Sequence, residues 1–492
     1  MNVGLQRMAL AAALSTIALP GIANAFSDCP ADSGIDGYTC TELKGVGKKG
    51  GHFRVTIPSN WDGDLVVVNH GFDLSDRKIR PHETCSSNNS QACEADVDCG
   101  SGNFCNNISY LGLDEVLLPM GKAVAANTYS QSGWAVFGSA KDLKEMIKFV
   151  DKHETYGDQL KRVLVTGFSL GGAVTVDAIL KLKIDGAVPL CAAAGGGLPT
   201  WDIAQEVRLV YDFLCDDLPT AKFQSLPDQG EVNSLNTTGD STTMALKVDV
   251  CFGIIGLAAD DGFQAQRLAD FLTLTSFSGY QGPNAGINVA SAMGFATLGL
   301  GDFVRDENRL KGARIGFNDT LDYTGLGGDM TLAAAYDADV KRLAYAKGRK
   351  KLAKYSNPTF LKGKGKKVAY PILSMPNSGD WLVIPEFQRV FTDALDAGSK
   401  DYTQVWNANF GHCVFSEEEV TAVFNTFFDW LGPDGGPYGA QPTAADVKAE
   451  CLALGGIDGD TCNFDLGYVA DPIYDRIPHR SDWPAAALPP TP

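Results

Sequence analysis

The sequence predicts an α/β protein: a mostly parallel sheet with helices on both faces, interrupted by a mainly helical insertion. Three observations carry this. Between about residues 123 and 193, short β-branched and aliphatic runs alternate with helical periodicities, the pattern of a parallel sheet. The alternation stops at Gly195-Gly196-Gly197-Leu198-Pro199 and resumes near Val368, across a stretch too long for a simple loop. Third, Val163 to Ile179 (VLVTGFSLGGAVTVDAI) is a buried strand, a tight turn and an apolar helix in immediate succession.

Taken in order, the N-terminus precedes the fold. Arg7 gives a positive start, Met8 to Leu19 a short apolar run, and Ala23-Asn24-Ala25 a small-x-small cleavage site, so residues 1–25 read as an export signal. That run is too short to span a bilayer, and no later apolar run is expected to reach about eighteen residues. A secreted or periplasmic protein follows, with no membrane anchor. All twelve cysteines lie downstream of the cleavage site, which fits an oxidising compartment. The cheapest pairings are the local ones, Cys29 with Cys40 and Cys451 with Cys462. Cys85, Cys93, Cys99 and Cys105 form a polar cluster that reads as two disulfides pinning a surface loop rather than a metal knuckle. Calcium at Asp96 and Asp98, or at Asp458 and Asp460, stays open, and no cofactor is expected.

Composition bounds the class. At 45% hydrophobic and 20% charged, the 492 residues are ordinary globular sequence with room for two or three domains. A formal net charge of −18 argues against nucleic acid and anionic membrane surfaces as partners. The basic run from Lys341 to Lys367 reads as a solvated helix and loop.

His52 to Ile57 and Asp64 to Val68 read as an antiparallel strand pair, the second ending in Asn69-His70-Gly71-Phe72. Ala123 to Asn127 is a further strand and Lys141 to His153 a helix with apolar residues at helical spacing. After the Val163–Ile179 unit, Gly186 to Ala193 is another strand. The insertion contains an amphipathic helix over Ile203 to Leu214 and a small-residue stretch over Asn284 to Leu300. Val368 to Met375 and Thr403 to Trp406 are late strands; Glu386 to Asp396 and Glu417 to Leu431 are helices. One more helix, near Ala444 to Leu454, falls in a Gly- and Pro-rich tail. The expected organisation is a core over 26–199 that includes the cysteine-rich insertion 85–105, a cap over 200–366, the rest of the core over 367–432, and a C-terminal extension over 433–492.

Chemistry concentrates at Gly167-Phe168-Ser169-Leu170-Gly171, a G-x-S-x-G whose flanks have the strand and helix of a nucleophile elbow. A serine hydroxyl needs a base within hydrogen-bond reach, and the base needs a carboxylate to hold its tautomer. Of six histidines, His52 is in a strand, His70 precedes Gly71, His82 borders the cysteine loop, His153 ends a helix and His479 is in the tail. Only His412 follows the last strand in a loop. Asp380 follows a buried strand, whereas Asp393, Asp396 and Asp401 fall on a helix or polar turn. Ser169, Asp380 and His412 are the candidate triad.

In that chain order, and with an elbow, the sequence resembles a secreted bacterial α/β-hydrolase over about Asp64 to Ala193 and Val368 to Leu431. The resemblance implies an eight-stranded, mostly parallel sheet with a cap inserted after the sixth strand. It also implies an oxyanion hole from backbone N–H groups, by position Leu170 and Phe72 or Gly71. His412-Cys413 is similar to the tannase and feruloyl esterase group, in which the cysteine after the histidine bonds one just before the serine. Here Phe168 stands before the serine, and Cys191 is the alternative partner. The implied activity is serine esterase chemistry on a small or polymeric ester. The rivals are a serine peptidase of the same fold, with Asp216-Asp217 or Asp260-Asp261 holding a substrate amine, and an idle hydrolase-fold binding protein.

Overall fold

In this computed structural model the described residues run from 39 to 483. Those left out are 73–83, 86–87, 93–104, 107, 132, 231–237, 257, 278–279, 281–284, 306–309, 357–367, 369, 396–400, 435 and 479. The expected export signal, Cys29, Cys93, Cys99, Asp96, Asp98, His82, Asp396 and His479 lie outside them.

The valine- and alanine-rich runs become one sheet of eight strands. These are β1 (Cys40–Val46), β2 (His52–Pro58), β3 (Asp64–Asn69), β4 (Ala123–Asn127), β5 (Arg162–Phe168), β6 (Gly186–Leu190), β7 (Ile372–Ser374) and β8 (Tyr402–Gln404). Their spatial order is β1-β2-β4-β3-β5-β6-β7-β8. All neighbours are parallel except that β2 runs against β1 and β4. This is the sheet of the α/β-hydrolase fold. Strands in its centre are buried on both sides, which is why they read as continuous apolar runs rather than alternating ones. Along β3, Leu65 and Val67 pack with the helices Ser139–Asp151 and Leu170–Lys181, while Val66 and Val68 pack with Glu417–Leu431. One strand thus separates two cores.

Two strand expectations need correction. β2 and β3 are not partners: β4 lies between them, pairing Phe53 with Asn127 on one side and Leu65 with Ala123 on the other. All five small residues of β4 are buried, so both its backbone edges require strand partners. The Pro58–Gly63 connection is long enough to step over it, and the Asp62 amide donates to the Gly121 carbonyl beneath. β1 escaped the sequence reading because it is an edge strand, mostly exposed, with little apolar alternation.

Between β6 and β7 the chain is helical: Gly197–Leu214, Thr238–Phe252, Gln264–Thr275, Ala285–Gly294 running on through a π turn at Phe295–Gly299 into Leu300–Val304, then Met330–Asp339 and Lys347–Ser356. Against expectation, Ala285–Val304 is a 20-residue run long and apolar enough to cross a membrane, but 83% of its apolar window is buried inside the protein. It is a core helix. The first helix also departs from expectation, beginning at Gly197 and buried around nearly its whole circumference to Tyr211 instead of being amphipathic.

That helix buries charge as well. Asp202 takes both Nη atoms of Arg349 at 2.6 and 2.8 Å, and Glu206 binds Arg480 and the Tyr323 hydroxyl. Arg349 also binds Asp482, and the Trp483 indole donates to Asp202. Burial would raise the Asp202 carboxyl, but the Arg349 and Arg480 guanidinium groups outweigh it and hold the group below the usual carboxylate range. Arg349 therefore belongs to a buried ion cluster, correcting the solvated reading of the basic run. Cys215–Cys251 ties the ends of two insertion helices, and Cys451–Cys462 forms as expected in the tail. Cys40 is disulfide-bonded.

Removing one member of a buried ion group leaves the others uncompensated. Asp202→Ala is expected to lower the unfolding free energy by about 3–5 kcal/mol, read by denaturant titration. Asp393→Ala, at an exposed pair with Arg389, should cost under about 1 kcal/mol.

Candidate functional site

β5 delivers Ser169 at a turn so tight that the serine itself adopts φ 58°, ψ −119°, and the helix Leu170–Lys181 starts at the next residue. Backbone proximity forces the flanking glycines. A Cβ on Gly167 would lie 2.7 Å from the Asn69 carbonyl oxygen and Cβ, and one on Gly171 would run into the same carbonyl. The turn is packed directly on the end of β3. Its own backbone is bound on the other side, with the Ser169 amide donating to Leu190 O and the Ala193 amide donating to Ser169 O, each at 3.2 Å.

The other two side chains come from the far edge of the sheet. Beyond β7 and β8 the chain forms a short parallel pair, Asn377–Gly379 with Asn407–Phe410, and Asp380 and His412 follow these two segments. Positive φ at Gly411 (126°) and Cys413 (57°) turns the loop back over the elbow. His412 Nε2 stands 2.8 Å from Ser169 Oγ, and Nδ1 stands 2.8 Å from Asp380 Oδ2. Asp380 Oδ1 accepts the Leu382 and Val383 amides at 2.8 Å each. At 1% exposure for Asp380 and 9% for His412, the chain of hydrogen bonds is closed to water at the acid end. The Trp381 ring stands edge-on to the imidazole, 6.1 Å between centroids. The three residues expected from sequence thus converge on one point; Asp393 is occupied by Arg389 on the surface.

Gly71 lies beside Ser169: a Cβ on it would be 3.6 Å from Ser169 Cβ. Leu170 opens its helix, so its N–H is among the first-turn donors that have no partner within the helix. Phe72 turns its ring edge-on to Trp201 and Phe295, at 6.1 and 5.8 Å. His70 has no place in the proton chain. Its ring rests 4.2 Å from that of Tyr129, whose hydroxyl donates to the His70 carbonyl. Of the insertion aromatics, Trp201, Tyr211, Phe271 and Phe277 are core, and Phe213 and Phe295 are half-buried.

Cys191 and Cys413 are bonded, with Cα atoms 5.3 Å apart. Cys191 sits just past β6, so the bond fixes the loop of His412 to the strand beside the elbow. Cys413 Sγ lies 3.5 Å from His412 Nε2. Sequence reasoning missed Trp381, whose position directly after Asp380 was the available signal, and Gln388, whose side-chain amide donates to the Ala192 carbonyl at 2.6 Å. It also missed Glu386, buried 3.3 Å from Arg476 Nε; burial pushes its carboxyl up to about 7 despite Arg476. Among the described residues, no three His, Cys, Asp or Glu side chains group as metal ligands, and Asp458 pairs with Lys448.

No family model matches the chain, and no curated protein matches its sequence. Several solved structures resemble it. An esterase of Pyrococcus furiosus is 11% identical with a TM-score of 0.36, covering 80% of this chain and 92% of that one. Feruloyl esterase B from Aspergillus oryzae is 12% identical with a TM-score of 0.38, covering 82% of each. A Pyrococcus horikoshii acylaminoacyl peptidase is 10% identical with a TM-score of 0.37, covering 84% of this chain and 44% of that one.

Two outcomes follow from the site's construction. Replacing both Cys191 and Cys413 by Ser should cost about 2–5 kcal/mol in denaturant unfolding, and peptide mapping without reduction should recover the two joined. For Glu386, the folded protein keeps a proton between pH 4.5 and about 7 that the unfolded chain has released. Stability from this group is therefore lost as pH rises through that window. Glu386→Gln should flatten that fall, measured as unfolding free energy at pH 5, 6, 7 and 8.

Proposed function

We propose that the protein is a serine hydrolase that cleaves carboxylic esters through an acyl-enzyme on Ser169. The single observation that carries the reading is the unbroken hydrogen-bond chain from Ser169 Oγ through His412 to Asp380. In it, Nε2 takes the serine proton as Oγ attacks the ester carbonyl. Asp380 holds the proton on Nδ1 and stabilises the imidazolium without itself becoming protonated. The imidazolium then protonates the departing alkoxide, and water, deprotonated by the same nitrogen, attacks the acyl-enzyme and frees Ser169. The oxyanion is taken by backbone N–H groups of Leu170 and of Phe72 or Gly71. Preorganised donors of this kind are each worth about 10²–10³ in kcat.

The helical insertion over 200–366 acts as the cap, and its half-buried Phe295, set against Phe72, supplies an apolar wall for the substrate. A small-molecule or polymeric ester is the expected partner. Residues 1–25 direct export, in keeping with the disulfides. A peptidase reading finds no support in the acidic pairs proposed to hold an amine: Asp216 binds Lys222, and Asp217 and Asp261 both bind Arg267.

Ser169→Ala is expected to fold as wild type and to lose about 10⁴-fold or more in kcat against p-nitrophenyl esters. A fluorophosphonate probe should label wild type at Ser169 only. Retained esterase activity in the variant ends the assignment. Faster turnover of aminoacyl nitroanilides than of esters replaces it with the peptidase reading.

A further inference from the structure

The loop that carries His412 has no regular structure of its own to hold it. It leaves the short strand at Phe410, passes two residues of positive φ, Gly411 and Cys413, and enters a helix at Glu417. What grips its two ends is one carboxylate. Glu419 is the third residue of the helix Glu417–Leu431 and forms a capping box with Ser416: the Glu419 amide donates to Ser416 Oγ at 3.0 Å, and Oε2 accepts the Ser416 amide at 2.8 Å. An ordinary capping box stops there and leaves its carboxylate facing water. Glu419 is fully buried, and more donors reach it. The Asn409 side-chain amide donates to Oε2 at 3.0 Å from the upstream side of His412. The Asn463 backbone amide donates to Oε1 at 2.8 Å from the C-terminal extension.

The same contacts close into a network. Asn463 Nδ2 donates to Asn409 Oδ1 at 2.9 Å, the Ala408 amide donates to Asn463 O at 2.7 Å, and Ser416 Oγ donates to Thr461 O at 2.6 Å. Thr461 and Asn463 flank Cys462, whose bond to Cys451 makes this part of the tail a fixed hairpin-like abutment. From the other side, Asn377 Nδ2 binds Asn407 Oδ1 and the Val414 carbonyl, at 2.9 Å each.

We propose that Glu419 is a positioning residue for His412: its buried carboxylate ties the upstream and downstream ends of the base's loop to each other and to the C-terminal extension. The proposal rests on the hydrolase reading and adds to it a residue outside the triad. Only donors surround the carboxylate oxygens, and they come from both sides of the loop and from the tail. Glutamine in its place keeps the shape but turns one oxygen into an NH₂ group. That group faces N–H donors, so at least one tie is lost and the loop relaxes. A shift of about 1 Å at the base costs on the order of 10²-fold in rate.

The test compares full-length wild type, Glu419→Gln, and Thr443→Ala as a stability control. Thr443 forms a capping box with Asp446 on the tail helix Ala444–Ala453. Its loss removes a helix cap without touching the base's loop. Expected for Glu419→Gln is a fall in kcat of about 10–100-fold on a p-nitrophenyl ester. KM should stay within about twofold, at a temperature where circular dichroism shows both variants folded. The downfield proton resonance of the His412 Nδ1–H···Asp380 bond should shift or broaden. Thr443→Ala should lower Tm and change neither kcat nor the resonance. If Glu419→Gln lowers Tm but leaves kcat and the His412 resonance as in wild type, Glu419 is a helix cap only and the proposal is overturned. If wild type cleaves no ester, the hydrolase reading falls by itself, and the resonance still decides: unmoved in Glu419→Gln, it refutes the positioning role independently.

Discussion

The close approach of two backbones governs this molecule. The turn after β5 lies directly on the carbonyl of Asn69 at the end of β3, with no side chain between them at Gly167 and Gly171. That contact, with the Leu190 and Ala193 backbone bonds on the other side, holds Ser169 at positive φ, a conformation that costs an ordinary residue about 1–3 kcal/mol and persists only where the surroundings over-determine it. Asn69 does more than leave room. Its side-chain amide donates to the Thr166 carbonyl and to Thr175 Oγ1, so the last residue of one strand clamps both the strand and the helix on either side of the serine. The rigid part of the site is therefore built inside the sheet, by neighbours in space that are about a hundred positions apart in sequence.

The other two side chains are held differently. Asp380 and His412 sit on loops beyond β7 and β8, just past a two-stranded parallel pair and outside the main sheet. Each is held by local polar contacts instead: Asp380 by the Leu382 and Val383 amides, the His412 loop by the Gly379 carbonyl, the Cys191 bond and the Glu419 network. In the proposed reaction the base must both reach the hydroxyl and carry a proton to a leaving group, and anchors at both ends of a short irregular loop suit that role.

How much of this was legible in the sequence follows from where the information lies. The elbow could be read because strand, glycines and helix are contiguous. Strand pairing could not be read in the same way. β4 comes between β2 and β3 although some sixty residues of chain separate it from them, and nothing in HFRVTI or DLVVV announces the gap. The buried side of the insertion was hidden for another reason. Arg349 in a run of lysines, Glu206 on what scans as an amphipathic helix over Ile203 to Leu214, and Asp202 just before it look like surface charge until Arg480, Asp482 and Trp483 join them from far along the chain. The Cys191–Cys413 bond spans 222 positions, and only its second cysteine has a local context that points to the site.

Those distant charges bear on the site through one turn of helix. Asp202 and Trp201 are adjacent, and the helix sends them to different faces: the carboxylate into Arg349 and Arg480, the indole into a stack with Phe295 and Phe303 and an edge contact with Phe72. A buried ion cluster is poor evidence for added stability, since well-packed apolar residues of the same volume often do as well or better. Removing any one partner leaves the others buried and uncompensated. Arg349 from late in the insertion and Arg480 from the tail both bind the helix Gly197–Leu214. On that same helix Trp201 meets Phe72, and Phe72 follows directly on Gly71, the residue packed against Ser169. A path of packed side chains thus runs from Arg480 through Asp202 and Trp201 to Phe72, the neighbour of Gly71.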